Sequence, residues 1–589
     1  MIKRGFLRVS LVLLTFCFFI SPSLTANRSV QKAELEGFSE FVEKTMKECE
    51  VPGVAICIVK DGEVIFSEGF GYRDVKRGLN FTPRTISSIG STAKAFTATC
   101  VGILVDEGKV DWDKPVREYL PSFKLKDPFA SERITPRDLL CHRCGLPRHD
   151  PMWKSTSGNN PTRKEILERL RYLEPSTDFR TTYQYQNQMF LVASELVGEV
   201  TGTSWDEFIK ERIFDPLGMK DTNISLEETQ RSSDYALPYH RMEGEVRQVP
   251  FQSYENCAGA DSINSTIVDM AKWILLNLNK GKYGKKQIIS EASLKEMHSP
   301  QMIMTGSRSI SDELFYSSYG LGWWITAYRG QLMLWHTGGA RGLNNLVSLM
   351  PRDNIGLVIQ TNMHGTPLRQ IIMYNVYDRL LGLDQIPWNK RFREKQEEAG
   401  RKAKKAKEEK DKDRKLDTKP SHPLEDYTGD FHNPGYGIFS IEREGDHLKA
   451  IHSSGSFILT HYHYDIFELR NWRGVIKSVT PLRNPIIVSF FTDARGNIQS
   501  LSIPWQRGVE EIVFTRVEAR TEDRGENFDD IEEEGRMISH EPWRVSTKNG
   551  LYSGPKVCPA TVKADLAAER TSAESGGCAD PKLLRRELS

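Results

Sequence analysis

The stretch of sequence that decides the fold is Ile86-Ser87-Ser88-Ile89-Gly90-Ser91-Thr92-Ala93-Lys94-Ala95-Phe96. Ser91 precedes an apolar helical run, so the pattern predicts Ser91 at a helix N-terminus, with Lys94 one turn later on the same face. A serine hydroxyl is a poor nucleophile at neutral pH, but a partly desolvated lysine beside it is neutral some of the time and can take its proton. Backbone N–H groups at the helix N-terminus can stabilise the oxyanion that forms. The stretch therefore predicts a serine nucleophile activated by a lysine.

The Ser-x-x-Lys spacing is weak evidence when it stands alone. The chain repeats it at Ser29 and Lys32 and again at Ser553 and Lys556, in regions with no core around them. A chance match is therefore an alternative at Ser91 as well, unless other segments support a site.

Two further segments provide that support. Tyr185-Gln186-Asn187 lies in a polar loop just before a predicted helix, where a phenol and an amide can point into a cleft. His336-Thr337-Gly338-Gly339 closes an apolar strand at residues 332–335, and its glycines let a substrate backbone lie against that strand. Singly, each is explained by a half-buried loop tyrosine or a strand-end histidine. Their occurrence together with Ser91 and Lys94 favours a site.

In this order of motifs the sequence resembles the serine β-lactamase and penicillin-binding protein superfamily, and within it the class C-like branch of D-peptidases, esterases and β-lactamase-related secreted animal proteins. Supporting segments are residues 134–147, Tyr319-Gly320-Leu321-Gly322-Trp323, and Ala258-Gly259 ahead of Asp269-Met270-Ala271. The resemblance covers about residues 37–383.

The resemblance implies a role for each motif residue. It implies catalysis by Ser91, the nucleophile that accepts the acyl group, and by Lys94 and Tyr185, which share general-base and general-acid work. It implies substrate contacts from Asn187, which holds a substrate amide, and from His336, Thr337 and Gly338, which line the opposite wall. The oxyanion hole would consist of the backbone N–H groups of Ser91 and Gly339. No cofactor and no metal is implied.

Two positions depart from the pattern of the resembled family. His336 stands where β-lactamases usually have lysine, and this variant is associated with D-peptidases and esterases, so efficient antibiotic hydrolysis is not expected. In the segment at residues 134–147, Cys144 replaces the small hydroxyl residue that commonly precedes the glycine, here Gly145.

Strand patterns lie at both ends of the large N-terminal region, and helical patterns lie between them. Residues 54–59 and 64–66 flank an Asp-Gly turn, which predicts a hairpin, and residues 346–350 and 355–360 predict a second one. Helices are predicted at residues 190–200, closed by Gly202, and at Ile267–Leu278. We therefore expect an α+β fold, with a β-lactamase/transpeptidase-like domain that has an antiparallel sheet flanked by helices and an all-helical part.

Composition divides the chain into segments. Residues 30–385 form the predicted hydrolase domain. Between residues 390 and 419, 22 of 30 residues are charged, which predicts a solvated helix or linker at residues 390–420. Residues 424–517 are predicted to form a small β-rich C-terminal domain, which resembles one that often accompanies this family, and residues 518–589 a disordered tail.

The first residues predict a secreted, extracellular protein. Basic residues precede the apolar run at residues 9–20, which Pro22 ends, as in a signal peptide at residues 1–26. An uncleaved anchor is the alternative, but a run of about a dozen residues is shorter than the roughly 20 that span a bilayer, so no stable membrane anchor is expected. N-x-S/T sequons, which are compatible with a glycoprotein, lie at Asn27, Asn80, Asn223 and Asn264.

Charge and cysteine content exclude some classes and leave others open. The 589 residues contain 80 Lys and Arg and 79 Asp and Glu, a net charge of +1 that argues against general nucleic-acid binding. Eight of the nine cysteines remain once Cys17 is removed with the signal peptide, and eight cysteines allow 105 disulfide pairings, so connectivity stays open. Cys141-His142-Arg143-Cys144 could form half of a redox or zinc site, but no second such pair completes it.

The sequence thus predicts a secreted serine hydrolase that cleaves a small peptide, amide or ester substrate through a Ser91 acyl-enzyme, in the manner of a D-peptidase or esterase. The alternative is a catalytically weak or inactive β-lactamase-like protein with a structural role in an extracellular matrix, for example in a biomineral. The physiological substrate is not encoded in any motif.

Overall fold

The structure is a computed structural model of the chain, and it describes residues 34–154, 160–242, 244–304, 312–412, 414–471 and 486–518. The predicted signal peptide at residues 1–26, the sequon at Asn27, and the predicted tail beyond residue 518 lie outside the described residues.

An antiparallel sheet organises the hydrolase domain. The strands of this domain are β1 Gly53–Lys60, β2 Glu63–Asp74, β3 Leu79–Asn80, β4 Ser87–Ser88, β5 Tyr239–Met242, β6 Glu245–Gln248, β7 Asn264–Ser265, β8 Lys282–Tyr283, β9 Lys286–Gln287, β10 Met302–Ile303, β11 Leu314–Tyr319, β12 Trp324–Tyr328, β13 Gln331–Ala340, β14 Leu343–Met350 and β15 Ile355–Thr361. Nine of them form the sheet in the spatial order β10-β11-β12-β13-β14-β15-β1-β2-β3, so strands from both ends of the domain meet at the β15-β1 pair.

Helices cover both faces of this sheet. The helices of the domain are α1 Phe38–Cys49, α2 Ala93–Asp106, α3 Pro128–Arg133, α4 Pro136–Leu140, α5 Arg163–Arg169, α6 Gln188–Thr201, α7 Trp205–Ile209, α8 Asp215–Leu217, α9 Leu226–Arg231, α10 Ile267–Leu278, α11 Glu291–Met297 and α12 Leu368–Leu380. Because side chains alternate across a strand, Val54 and Ile58 of β1 join a core with α1 and α12, while Ala55 and Val59 join a second core with α2 and α10.

The α+β prediction is confirmed. Both predicted hairpins form, as β1-β2 and β14-β15, and α6 ends at Gly202, whose φ of 72° is the left-handed conformation that glycine adopts readily. One local expectation was wrong. The segment from His336 to Gly339 does not follow the end of a strand but lies within β13, because Gly338 and Gly339 pair in register with Asn345 and Asn344 of β14.

The second β-rich segment is a closed antiparallel barrel, as the sequence predicted an all-β domain there. Its lumen is filled by apolar side chains, among them Phe431, Phe439, Phe490 and Phe514, so the barrel has a packed core. Its strands are β16 Gly429–Asn433, β17 Gly437–Glu444, β18 His447–His452, β19 Gly455–His463, β20 Ile466–Asn471, β21 Ile486–Thr492, β22 Ile498–Ile503 and β23 Ile512–Arg516.

The charged segment between the two domains forms helix α13, Trp388–Asp411. Its first two turns dock on the hydrolase domain, because Trp388 and Phe392 are buried and the Trp388 ring lies 4.5 Å from that of Tyr374. Its charged residues beyond Phe392 are exposed wherever their side chains are described. The linker is therefore anchored at its start, while the exact domain boundaries stay predictions.

The structure bears on the expectations of disulfide bonds and of glycosylation. The six cysteines among the described residues are free thiols, so no disulfide is found in that part of the chain. Asn80 is exposed, but Asn223 and Asn264 are buried and the Asn264 amide donates to Asn223 Oδ1 at 3.2 Å, which leaves no room for a glycan at either position in the folded chain. Within the described ranges, we find no helix both long enough and apolar enough to cross a bilayer.

Candidate active site

Ser91 lies in a 3₁₀ turn, Gly90–Thr92, that leads directly into α2. Strand β13 packs against this turn so closely that only glycine fits at the contact. A Cβ at Gly90 would lie 2.6 Å from the Gly339 nitrogen, and one at Gly338 would lie 1.6 Å from the Ile89 carbonyl oxygen. This close approach brings the backbone of Gly339, which is exposed, next to the half-buried Ser91.

Lys94 is completely buried beneath Ser91. Its Nζ lies 3.0 Å from Ser91 Oγ, 2.7 Å from Asn187 Oδ1 and 3.1 Å from the carbonyl oxygen of Ala260. Three acceptors match the three N–H donors of an ammonium group. Burial lowers the pKa of Lys94 to about 8, and the Asp261 carboxylate opposes part of that fall. Lys94 therefore loses its proton only slightly above neutral pH.

Asp261 is a site residue that the motifs did not reveal. The Ser91 hydroxyl donates to Asp261 Oδ1 at 2.6 Å, and the same oxygen lies 4.0 Å from Lys94 Nζ. Asp261 has no motif of its own. The sequence feature that could have identified Asp261 is its position two residues after Ala258-Gly259, a segment that supported the family resemblance. The hydroxyl is thus held between a carboxylate and an amine.

Tyr185 lies on the other side of Lys94. The Lys94 ammonium is 5.1 Å from the centre of the half-buried Tyr185 ring. Burial raises the pKa of the phenol above its ordinary value, the negative charge of Asp261 raises it further, and the Arg148 cation and a hydrogen bond with the Ser91 side chain offset part of the rise. The phenol is therefore protonated at neutral pH and can donate a proton.

Arg148 covers the outer face of Tyr185. Its guanidinium lies 5.1 Å from the ring centre, a distance typical of a cation–π contact, and it pairs with Asp150 at 2.8 Å. The Arg148 carbonyl accepts a hydrogen bond of 2.7 Å from Gln188 at the start of α6. Sequence reasoning missed this arginine because no pattern placed its loop beside the tyrosine.

His149, the next residue, fastens this loop to the barrel. The residue is buried and has a φ of 41°, a strained left-handed conformation for a side-chain-bearing residue. Its N–H donates to Gln506 at 2.7 Å, its Nδ1 lies 2.6 Å from the Tyr436 hydroxyl, and its Nε2 lies 2.9 Å from the Glu174 carbonyl. Two of these three partners belong to the barrel, so the barrel helps to hold one wall of the site.

The loop that carries Tyr185 is supported by the Cys141-His142-Arg143-Cys144 segment. The His142 ring lies 4.2 Å from the Tyr185 ring, and the Gln186 amide donates to Cys144 Sγ at 3.7 Å. Burial raises the pKa of Cys141 and of Cys144 to about 12, so both are unreactive thiols. No group of three or more metal-ligating side chains occurs in the described parts of the chain. The segment thus has a packing role here.

His336 lies behind the wall rather than on its surface. The side chain is fully buried, stacks on Trp324 at 4.3 Å, and has both nitrogens engaged, with Tyr319 at 2.9 Å and the Thr337 carbonyl at 2.7 Å. Burial lowers its pKa to about 3, so the ring is neutral. In this arrangement it has no free group for a substrate, because packing against Trp324 and Tyr319 turns it into the domain, and Thr337 and Gly339 form the accessible edge of β13.

The structure therefore brings Ser91, Lys94, Tyr185 and Asn187 together around one point, with β13 opposite them. It adds Asp261 and Arg148 to that set and places His336 beneath it.

Comparisons with known proteins identify the family to which the chain is similar. Residues 38–378 match the family model described as Beta-lactamase, and residues 413–516 match one described as Domain of unknown function (DUF3471). The chain is 30% identical over 430 residues to "Unguisins hydrolase ungD'" of Aspergillus campestris, a match that covers 69% of this chain and 77% of that protein. It is 24% identical over 339 residues to "Protein flp" of Staphylococcus aureus, over 56% of this chain and 64% of the relative.

Among solved structures, the octameric penicillin-binding protein homologue from Pyrococcus abyssi resembles the chain with a TM-score of 0.52 and 23% identity. The match covers 82% of this chain and 100% of the other. At this identity the likeness concerns the fold alone.

Proposed function

The chain belongs to the beta-lactamase family, and we propose that it is a serine hydrolase that cleaves an amide or ester bond of a small peptide-like substrate through an acyl-enzyme on Ser91. Membership of a family whose relatives include a named hydrolase supports hydrolytic chemistry. The assignment of that chemistry to particular residues is our proposal.

The observation that carries the proposal is the 3.0 Å contact between Lys94 Nζ and Ser91 Oγ. A lysine buried without any exposed surface costs folding free energy, because its charged form is poorly solvated. A protein with no need for a base at this point would gain from an apolar residue there. A depressed lysine pKa next to an accessible hydroxyl is instead the arrangement that activates a serine.

The acylation step follows from the positions of these groups. Once Lys94 is neutral, its lone pair takes the Ser91 proton while Oγ forms a bond to the substrate carbonyl carbon. The negative charge moves to the carbonyl oxygen, where the N–H groups of Ser91 and Gly339 receive it. When the intermediate collapses, the bond to the leaving nitrogen or oxygen breaks, and Tyr185 donates a proton to that atom and is reprotonated by the Lys94 ammonium.

Deacylation repeats the same steps with water. The neutral Lys94 amine takes a proton from the water molecule, and the water oxygen attacks the ester carbonyl. When the intermediate collapses, the bond to Ser91 Oγ breaks and Ser91 recovers a proton that the Lys94 ammonium supplies through Tyr185. Asp261 holds the Ser91 hydroxyl in place between turnovers. Asn187 serves both the Lys94 amine, through its Oδ1, and the substrate amide.

We assign the substrate to the D-peptidase and esterase class rather than to the β-lactams. At the position where β-lactamases usually have lysine, this chain has the neutral, buried His336. This position therefore offers no cation for the ionised group of an antibiotic. Export through the predicted signal peptide at residues 1–26 would place the activity outside the cell.

The proposal is tested by hydrolysis of two simple substrates, 4-nitrophenyl butyrate and D-alanine 4-nitroanilide. We expect the intact protein to hydrolyse at least one of them, and Ser91→Ala to lose at least about a thousandfold in kcat/KM, as removal of a nucleophile does elsewhere. Turnover that survives in Ser91→Ala, or a folded protein that hydrolyses neither substrate, would contradict the proposal.

A further inference from the structure

A cleft lies beside Asp261, the residue that accepts the Ser91 hydroxyl. About 460 Å³ of space lies between its walls, a figure that includes open solvent, and about 20 Å³ of this space is accessible to the centre of a water molecule. Apolar side chains such as Ile224 and Phe251 form part of its wall, and its charged members are Glu255, Asp261 and Arg341. The mechanism above uses only Asp261 from this lining.

Arg341 enters this cleft without a partner for its side chain. Its Nε and Nη2 are buried and make no hydrogen bond with any of the described residues. Its backbone is held firmly, since its N–H donates to the Tyr254 hydroxyl at 3.0 Å and the next residue, Gly342, packs against Pro238. Arg341 also follows the oxyanion-hole residue Gly339 by only two positions.

The acids that share the cleft with Arg341 are already engaged. Asp261 accepts the Ser91 hydroxyl at 2.6 Å. Glu255 accepts the Leu226 N–H and the Ser253 hydroxyl, both at 3.1 Å. The guanidinium is therefore the charged group of the cleft with buried atoms that lack a partner among the described residues, where the Ser87 and Ser262 hydroxyls also lack one.

A second buried cation adds to the positive charge behind β13. Arg369 is 7% exposed and donates to the carbonyl oxygens of Gly338 and Asn345, and in the part of the chain that the structure describes no acid pairs with it. A partly buried guanidinium without an acceptor is costly, whereas a carboxylate ligand forms two parallel hydrogen bonds with it.

The position of Tyr185 indicates which part of a substrate enters the cleft. The leaving group must lie beside Tyr185, which gives it a proton, and Tyr185 is not part of the cleft lining. The cleft therefore receives the acyl side of the substrate.

This inference rests on the function proposed above. We propose that Arg341 binds a carboxylate at the end of the substrate's acyl group that is distant from the scissile bond. The enzyme then prefers acyl donors that carry this carboxylate and are apolar between it and the scissile bond.

A matched pair of esters tests this inference on the full chain: 4-nitrophenyl hydrogen adipate, and the 4-nitrophenyl ester of adipic acid monoamide, which has the same shape without the charge. We expect the intact protein to have a kcat/KM at least about tenfold higher for the anionic ester, the usual worth of a charge-assisted hydrogen bond. Arg341→Gln should remove this preference and leave the neutral ester within about twofold, and Arg341→Lys should restore part of it.

The control is Arg231→Gln, the same change at an exposed arginine of α9, which should alter neither ester. Equal rates for both esters in the intact protein, or an equal loss for both in Arg341→Gln, would overturn the anion site. If a fluorophosphonate labels Ser91 but neither ester reacts, the anion site is wrong and the hydrolase proposal stands. If Ser91 is not labelled either, the proposed function itself has failed.

Discussion

The two walls of the candidate active site are held in place by different parts of the chain. Ser91 lies on the turn before α2, Lys94 lies in the first turn of α2, and Asp261 lies on the loop after Ala258. Their partners all come from the hydrolase domain. Arg148, which lies over the Tyr185 ring, belongs to a loop. The next residue of that loop, His149, is hydrogen-bonded to Tyr436 and Gln506 of the barrel.

This difference separates chemistry from positioning. The groups that we propose make and break bonds depend on one domain, and all the motif residues lie between Ser91 and Gly339. The position of Arg148 over the Tyr185 ring depends on two domains. Damage to the first wall should therefore abolish acylation of any substrate, whereas damage to the second should affect larger substrates more than small reagents.

The largest effect is expected from the first wall. Lys94→Ala and Tyr185→Phe should each slow acylation at least about a hundredfold, the range for loss of a positioned base or acid. Because both serve one proton route, the double variant should be slower than either single variant but faster than the product of their effects predicts. Stopped-flow release of 4-nitrophenol measures this, with Lys295→Ala, at an exposed lysine of α11, as the control. Fully multiplicative losses would show two independent routes.

The next effect concerns pH. The pKa of Lys94 is lowered to about 8, and the neutral amine is the active form, so kcat/KM should rise with pH and level off above about pH 8. In Asp261→Asn the negative charge that favours the ammonium is gone, so the midpoint of this rise should move to lower pH. A pH–rate profile of each protein decides the point. A rate that falls as pH rises through 8 would mean that the ammonium form is the active one.

A smaller effect is expected from the second wall. Tyr436→Phe removes the hydroxyl that bonds His149 Nδ1, and should lower kcat/KM for a peptide-like substrate by roughly tenfold or less, the worth of one buried hydrogen bond. Labelling of Ser91 by a small fluorophosphonate should stay within about twofold. Tyr464→Phe, at an exposed barrel tyrosine, is the matched control.

A double-mutant cycle sharpens this test. If Tyr436 acts through Arg148, then Tyr436→Phe should have little further effect in an Arg148→Gln background. Full additivity of the two changes would show that the barrel does not position Arg148.

The smallest effect is expected at Cys144. Cys144→Ser should change kcat/KM by less than about threefold, because a hydroxyl can accept the same hydrogen bond from Gln186 as the thiol does. Steady-state assays of the two proteins suffice, and a large loss would assign the thiol a role beyond support of the Tyr185 loop.

Local patterns were enough to predict much of the fold. The β1-β2 hairpin is encoded by its Asp-Gly turn, and α10 begins and ends where its apolar period predicts. The course of β13 was less accessible, because Gly338 and Gly339 look like a strand end until their partners Asn345 and Asn344 are known. Strand ends depend on partners distant in sequence.

The candidate site shows the same contrast between contacts that are local in sequence and contacts that are distant in sequence. Ser91 and Lys94 are one helical turn apart, so sequence spacing alone brings them together. Asp261 reaches Ser91 from 170 positions away, and His149 reaches Tyr436 from 287 positions away, contacts that no local spacing encodes. The orientation of His336 likewise depends on Trp324 and Tyr319, so its burial could not be read from its motif.

The central claim, that Ser91 is the nucleophile, is tested most directly by labelling the purified full chain with a fluorophosphonate, followed by intact mass measurement and peptide mapping. The account predicts one phosphonyl adduct per chain, located on Ser91, absent in Ser91→Ala and strongly slowed in Lys94→Ala. An adduct on another serine, or a folded protein that takes no label at all, would contradict it.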